Sequence, residues 1–312
     1  MSLVKLLSSK PDVVEDTAGS RKEIQKCIDR HGHLPEHNYF YYEYMKADAT
    51  VNRFLKFGSE GVLANFDPRV AAWEFITEPL TEPQNKLRVM LEAIAFCFSS
   101  GAEKVKVELS HDFKKKFLDS LPDYLRACRD SHVLIWPVFR MAEWDGDELS
   151  GNRWKKLRHS KNSLERMGKI DVTPCTEIRQ EKLKELVAEW KRSRTPNDRA
   201  NARYYLRLID SNFAGMDSTR SVLVDGQPCS ITGGWKIPNT PDYYSETGLH
   251  NYKYDTLGDY ANWDDLVALK KRGFQKVDFG GSDKRLYAFK KKLNPSDSYK
   301  THIFTIVRKH TI

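Results

Sequence analysis

Cysteine is scarce in this chain and poorly placed for cross-linking. Cys27, Cys97, Cys128, Cys175 and Cys229 are scattered through 312 residues, odd in number, with no CxxC pair. That pattern argues against a disulfide framework and a structural zinc site, and it suits a reducing cytoplasm. The nine histidines lack metal spacing: His31 and His33 are close but have no downstream partner set, so no metal is expected. Long apolar runs are missing too. The Leu3–Leu7 stretch is too short and too soon followed by polar residues to be a signal peptide. Val89 to Phe98 is broken by Glu92 and too short to span a bilayer, so no transmembrane segment is expected. No GxSxG nucleophile elbow occurs.

Positive charge and aromatic residues are well supplied. Lysine and arginine number 51 against 43 acids, a net charge of +8, which favours an anionic partner such as tRNA, a phospholipid surface or a phosphorylated cofactor. Aromatic residues at 12% and hydrophobic residues at 40% fit a packed globular protein, and the length suffices for one large or two medium domains.

The hydrophobic pattern predicts an α/β chain in two similar halves, residues 1–145 and 146–312. In the first, Ser20 and Glu23 read as a capping box before a helix whose inward face is Ile24, Cys27 and Ile28, ended by Gly32. Tyr39 to Tyr44 is dense in aromatics, read as packing against the first domain ahead of a stacking surface. Strands follow at 53–57, 61–65 and 71–76. A helix from Pro83 carries Leu87, Met90, Leu91, Ile94, Ala95 and Phe98 at three-four spacing. A strand through Val105, Val107 and Leu109, a helix marked by Phe113 and Phe117, and a strand at 132–138 complete it. In the second half a basic helix spans 148–167, with a seam of Trp154, Leu157, Leu164 and Met167. Two more helical faces carry Leu183 to Trp190 and Tyr205 to Phe213. A hairpin turns at Asp225-Gly226. Strands at 243–246 and 251–254, a helix at 263–272, and strands at 276–279 and 302–307 close the sheet. The repeated order of strands, helix, strand points to an internal duplication.

The run Asp278-Phe279-Gly280-Gly281-Ser282, continuing through Tyr287-Ala288-Phe289-Lys290 to Asn294-Pro295, is the most informative segment. It reads as a buried strand, a glycine turn, and an aromatic-lysine step that can aim an ammonium into a cleft. Such a lysine can stabilise an oxyanion or bind a carboxylate or phosphate.

Two segments carry a family likeness. Leu149-Ser150-Gly151-Asn152-Arg153-Trp154-Lys155-Lys156-Leu157-Arg158, with Asn162 and Gly168, resembles a helix in the C-terminal catalytic domain of phosphatidylglycerol lysyltransferases. The Asp278-to-Pro295 segment is similar in that domain and in the Fem-type peptidyltransferases. The resemblance implies two tandem GNAT-like domains, each a mixed, mostly antiparallel sheet flanked by helices, with the active site in the second. It further implies transfer of an aminoacyl group from aminoacyl-tRNA to an amine or hydroxyl acceptor, with no resident cofactor. By that analogy Lys290 steadies the tetrahedral oxyanion, and Arg153, Lys156 and Arg158 face RNA or lipid phosphate. Two departures stand out. The family's early Gly-Asp-Pro turn is Glu78-Pro79 here, and its flippase-like membrane region is not in this sequence. The second departure admits a soluble small-molecule acceptor beside an anionic lipid.

The expected site therefore comprises Lys290 and Asp278 as catalytic groups. Arg153, Lys156, Arg158, Tyr244, Gly280, Gly281, Ser282 and Phe289 are the expected substrate contacts. An activated ester needs a positioned acceptor, an oxyanion donor and a base. Tyr244, Glu246, His250 and Asp278 are all candidates for the base. The first rival is an acyl-CoA-dependent GNAT N-acyltransferase, which wants an RxxGxG/A turn to hold pyrophosphate; neither half has one. The helix expected to do that work opens Asn262-Trp263-Asp264-Asp265, with acids that repel pyrophosphate. The second rival is a non-catalytic RNA-binding protein, for which the Gly-Gly-Ser and Phe-Lys arrangement has no use. The basic surface also allows a peripheral position on anionic lipid.

Overall fold

The structure, a computed structural model, describes residues 10–194 and 202–309; the Leu3–Leu7 stretch lies outside them. The described chain opens with β1 (Asp12–Val14), α1 (Arg21–His31) and α2 (Tyr39–Met45). Next come β2 (Val51–Phe57), β3 (Glu60–Asp67), β4 (Ala72–Phe75), α3 (Lys86–Ser99), β5 (Lys104–Ser110), α4 (His111–Asp119), β6 (Leu125–Ala127) and β7 (His132–Arg140). The order continues with α5 (Lys155–Glu165), β8 (Ile170–Pro174), α6 (Gln180–Arg192), α7 (Ala202–Asp210), β9 (Ser218–Val224), β10 (Gln227–Pro228) and β11 (Ser230–Lys236). It ends with β12 (Tyr243–His250), α8 (Leu257–Lys271), β13 (Lys276–Asp278), α9 (Lys284–Lys290) and β14 (Asp297–Arg308). Contacts divide these residues into two compact units: 10–135 with 237–240 and 299–309, and 136–236 with 241–298.

In the first unit β1, β2, β3 and β4 pair antiparallel in sequence, β4 pairs parallel with β5, and β14 lies antiparallel to β5. The three-four spacing of α3 buries Val89, Met90, Ala93, Ile94 and Phe98 against Leu55, Val62, Phe75, Val105 and Val107. A second cluster packs Ile24, Ile28, Tyr39 and Tyr42 with Phe54 and Leu63. The tyrosine-rich segment is thus a short helix used for packing. Asn38 caps it by accepting from the Phe40 and Tyr41 amides.

The second unit repeats the plan. β9, β11 and β12 form an antiparallel run, α8 crosses over, and β13 returns parallel to β12, flanked on its other edge by β7. Its core gathers Phe139, Trp144, Trp154, Leu157, Tyr243, Leu266, Leu269, Val277 and Phe279. Each unit therefore contains a three-strand antiparallel run, a helix, and one strand added in parallel: the tandem GNAT-like α/β architecture.

Several sequence expectations are corrected. Ser20 precedes α1 but makes no side-chain cap, and Glu23 pairs instead with Lys56. The basic helix is shorter than 148–167, because Leu149 and Gly151 have φ of 51° and 77° and Met167 is exposed beyond its end. Residues 251–254, expected as strand, form a turn, while β12 runs on to His250. The helix expected at 263–272 starts at Leu257, so Asp264 and Asp265 lie within it: Asp264 pairs with Arg220, and Asp265 accepts from Ser245. These acids therefore do not guard a helix N-terminus. Residues 302–307 join β5 in the first unit rather than completing the second sheet.

Candidate active site

The site is built around the place where β12 and β13 part. Their parallel pairing covers Tyr243 with Val277 and Tyr244 with Asp278, after which β12 continues to His250. A β-bulge sits at the same level. Ser245 is opposite Gly234 and Thr247 is opposite Gly233, leaving Glu246 as the extra residue. The facing strand tolerates this because a Cβ on Gly234 would lie 1.8 Å from the Tyr244 carbonyl oxygen.

The bulge exchanges the faces of the strand. Before it, Tyr243 packs with Leu266 of α8, and Ser245 donates to Asp265 of that helix. After it, Gly248 and His250 are the residues that meet Asn262 and Gly258 of α8. Glu246 and Thr247 are thereby brought together at the opposite face. The Thr247 hydroxyl donates to Glu246 Oε2, and so does the Tyr204 hydroxyl from α7. Burial pushes the Glu246 carboxyl up to about 7, against the lowering influence of the two hydroxyls and Lys290.

On the other side of the gap, Asp278 Oδ1 accepts from the Gly280 amide at 3.0 Å, and Ser282 donates to the Gly280 carbonyl at 3.1 Å. Gly280 has φ of 73°, a left-handed conformation that favours glycine. Asp283 then caps α9 by accepting from the Leu286 amide at 2.7 Å. The helix delivers Lys290 back to the turn, where Nζ donates to the carbonyls of Phe279 and, at 3.1 Å, Gly280. Burial lowers the Lys290 ammonium to about 8, although Asp278 and Glu246 both oppose this. A Cβ on Gly280 would lie 3.6 Å from the Tyr244 hydroxyl and 3.7 Å from Lys290 Nζ, so the two polar groups flank the bare backbone. Tyr244 is wedged between Trp235 and Trp136, at ring separations of 5.0 and 5.9 Å.

Glu246 and Lys290 form no direct ion pair among the described residues, although each shifts the titration of the other. Two of the three Lys290 N–H bonds go to carbonyls, which leaves one for a ligand. A cation at the glycine turn and a carboxylate on the neighbouring strand, not paired with each other, can serve an oxyanion and a departing proton.

Of the residues expected from sequence, Lys290, Asp278, Tyr244, Gly280 and Ser282 meet here. Gly281 continues the turn, and the Phe289 ring stacks over His250 at 6.5 Å. Arg153, Lys156 and Arg158 make no hydrogen bond or ion pair with this group. Arg153 pairs with Asp145, and Arg158 Nη1 donates to the Leu149 and Gly151 carbonyls, holding the left-handed loop in place. Lys156 is exposed. Sequence reasoning missed Tyr204 and Thr247, and it named Glu246 without preferring it. An isolated glutamate opposite Gly233-Gly234 was the available signal. Among the described residues, no group of three or more His, Cys, Asp or Glu side chains is placed to hold a metal ion. No helix among them is long and apolar enough to cross a membrane.

No family model matches the chain, and no curated protein matches it in sequence. Solved structures do match in fold. The C-terminal DUF2156 domain of a putative lysylphosphatidylglycerol synthetase from Agrobacterium fabrum is similar with a TM-score of 0.65 at 12% identity, covering 93% of this chain and 92% of that one. FemX is similar with a TM-score of 0.61 at 13% identity, covering 94% and 96%. A tandem GNAT protein from the clavulanic acid biosynthesis pathway gives 0.57 at 11% identity, covering 95% and 98%. The fold is thus shared with these proteins along almost the whole of each chain.

Proposed function

We propose that the chain is an acyltransferase that moves an aminoacyl group from aminoacyl-tRNA to an amine or hydroxyl acceptor, using the second unit. The observation that carries this reading is the placement of Lys290 Nζ and the Glu246 carboxylate on either side of the gap beyond Tyr244 and Asp278. Glu246 takes the proton from the acceptor as its nitrogen or oxygen bonds to the ester carbon. The carbonyl oxygen becomes the oxyanion and meets the remaining Lys290 N–H. Collapse breaks the bond to the ribose oxygen, which leaves with the proton that Glu246 took. Asp278 holds the Gly280 turn that presents Lys290, a positioning role rather than that of the base. The fold shared with a putative lysylphosphatidylglycerol synthetase and with FemX supports this class of transfer.

The acyl-CoA alternative is less well supported. Residues 251–256, between β12 and α8, contain no glycine, and the first turn of α8 carries Asp259, which pairs with Lys292. The acceptor is a phosphatidylglycerol-like lipid or a soluble amine or hydroxyl compound. The test is binding of the purified chain to total aminoacyl-tRNA and, in parallel, to acetyl-CoA. Salt-sensitive retention of charged tRNA without CoA binding is expected; CoA binding with indifference to tRNA would overturn the donor assignment.

A further inference from the structure

Nothing in the proposed reaction explains why Glu246 uses only one of its two oxygens. Both hydroxyl donors, from Tyr204 and Thr247, converge on Oε2, and Oε1 has no hydrogen-bond partner among the described residues. Two donors use both lone pairs of Oε2. The carboxylate is therefore differentiated: one oxygen is anchored and the other is open.

We infer that Tyr204 is a positioning residue that, with Thr247, anchors Oε2 of Glu246 so that Oε1 is the atom that receives the proton. The inference rests on the reading of Glu246 as the base. Tyr204 is suited to the task because its phenol is fixed: the residue is 4% exposed, and α7 is locked by ring contacts. Tyr204 meets Tyr205 at 5.5 Å, and Tyr205 meets Trp190 of α6 at 5.2 Å, both edge to face. Thr247 reaches the same oxygen only because the bulge turns consecutive side chains to one face. Helix α7 thus governs a group on β12 that is 42 residues away in sequence.

Other titratable groups bear on the carboxylate as well. Lys290 faces it from α9, with Asp278 of β13 beside that lysine. Tyr205 lies on α7, and Arg194, beyond α6, acts on both Tyr205 and His250. Tyr244 and His250 are on the same strand as Glu246. Hydroxyl donors favour the ionised carboxylate, so removing one must raise the titration midpoint.

The experiment is a carbon-13 NMR titration of the whole protein labelled at glutamate carboxyls, with the Glu246 signal assigned by its loss in Glu246→Gln. Tyr204→Phe keeps the ring and removes the donor; the midpoint should rise by about half to one unit. Thr247→Val should move it in the same direction. Tyr205→Phe, whose hydroxyl makes no bond to Glu246, should leave it in place. An unchanged or lower midpoint in Tyr204→Phe would overturn the inference, as would an equal rise in Tyr205→Phe. The titration needs no substrate. A shift in Tyr204→Phe without any aminoacyl transfer would uphold the anchoring and count against the aminoacyltransferase reading alone. Where transfer is measured, the acid limb of the rate should move with the midpoint.

Discussion

The two units open the same gap beside their parallel strand pair and fill it in opposite ways. In the first, β4 and β5 pair from Ala72 with Lys104 to Glu74 with Lys106. Glu78 then seals the space: Oε1 accepts from the Ser110 amide and hydroxyl at 2.8 and 2.7 Å, and Oε2 pairs with Lys86 at 2.5 Å. Its carbonyl is held by His37 Nε2 at 3.0 Å. Carboxylate and ammonium are zipped together. In the second unit Glu246 and Lys290 are tied to different neighbours and do not meet. Charges that have neutralised each other stabilise a fold, whereas charges held apart retain the capacity to act on something else.

The largest expected effect separates the two lysines. Lys290→Ala should reduce the turnover of aminoacyl transfer by about 10²–10³, as for loss of one oxyanion donor, while tRNA retention changes little. Parallel loss of binding and turnover would instead make Lys290 a binding residue. Next is Glu78→Ala, which strands Lys86 in a half-buried position and should destabilise the protein by about 3 kcal/mol in urea unfolding, with the transfer rate of the folded fraction unchanged. If Glu78→Ala abolished transfer without loss of stability, the first gap would be a working site and the contrast would fail.

The smallest effect is in pH. His37 Nδ1 accepts from the His33 and Leu34 amides, and burial lowers the ring to about 3. Its stabilisation is complete above the ordinary value of 6.5 and is lost as pH falls toward 3. Glu246 is raised, so its contribution is complete below the ordinary carboxyl value and is lost as pH rises through about 7. Between pH 4.5 and 6.5 the two slopes oppose, each at most about 1.4 kcal/mol per pH unit. His37→Asn should remove one slope and Glu246→Gln the other in unfolding series across that range.

Much of this architecture was legible because it is local. The α3 stripe, the hairpin at Asp225-Gly226 and the Gly280 turn each follow from residues within a few positions of one another. The Glu78-Pro79 departure also pointed to the altered first gap. Tyr204 was not legible as a partner of Glu246, because only the docking of α7 brings its hydroxyl to β12. Arg158 misled for a related reason: a guanidinium suits phosphate, but a left-handed loop nearby offered two carbonyls first. The start of α8 is not legible because Gly258 is a poor helix former, and packing decides it: Leu257 joins Leu164, Val222 and Val224, and Gly258 lies against His250.

The bulge at Glu246 also bears on how this gene can change. Downstream of it, even-numbered residues occupy the face that odd-numbered ones hold upstream. Substituting Glu246 would cost a carboxylate and spare the strand. Deleting its codon would instead remove the bulge and leave plain alternation, with Ser245, Gly248 and His250 still toward α8 and Thr247 and Leu249 still away from it. The carboxylate is therefore an addition to a strand whose faces hold without it: a sheet one residue shorter here would keep its packing and lose only the group that bears the chemistry.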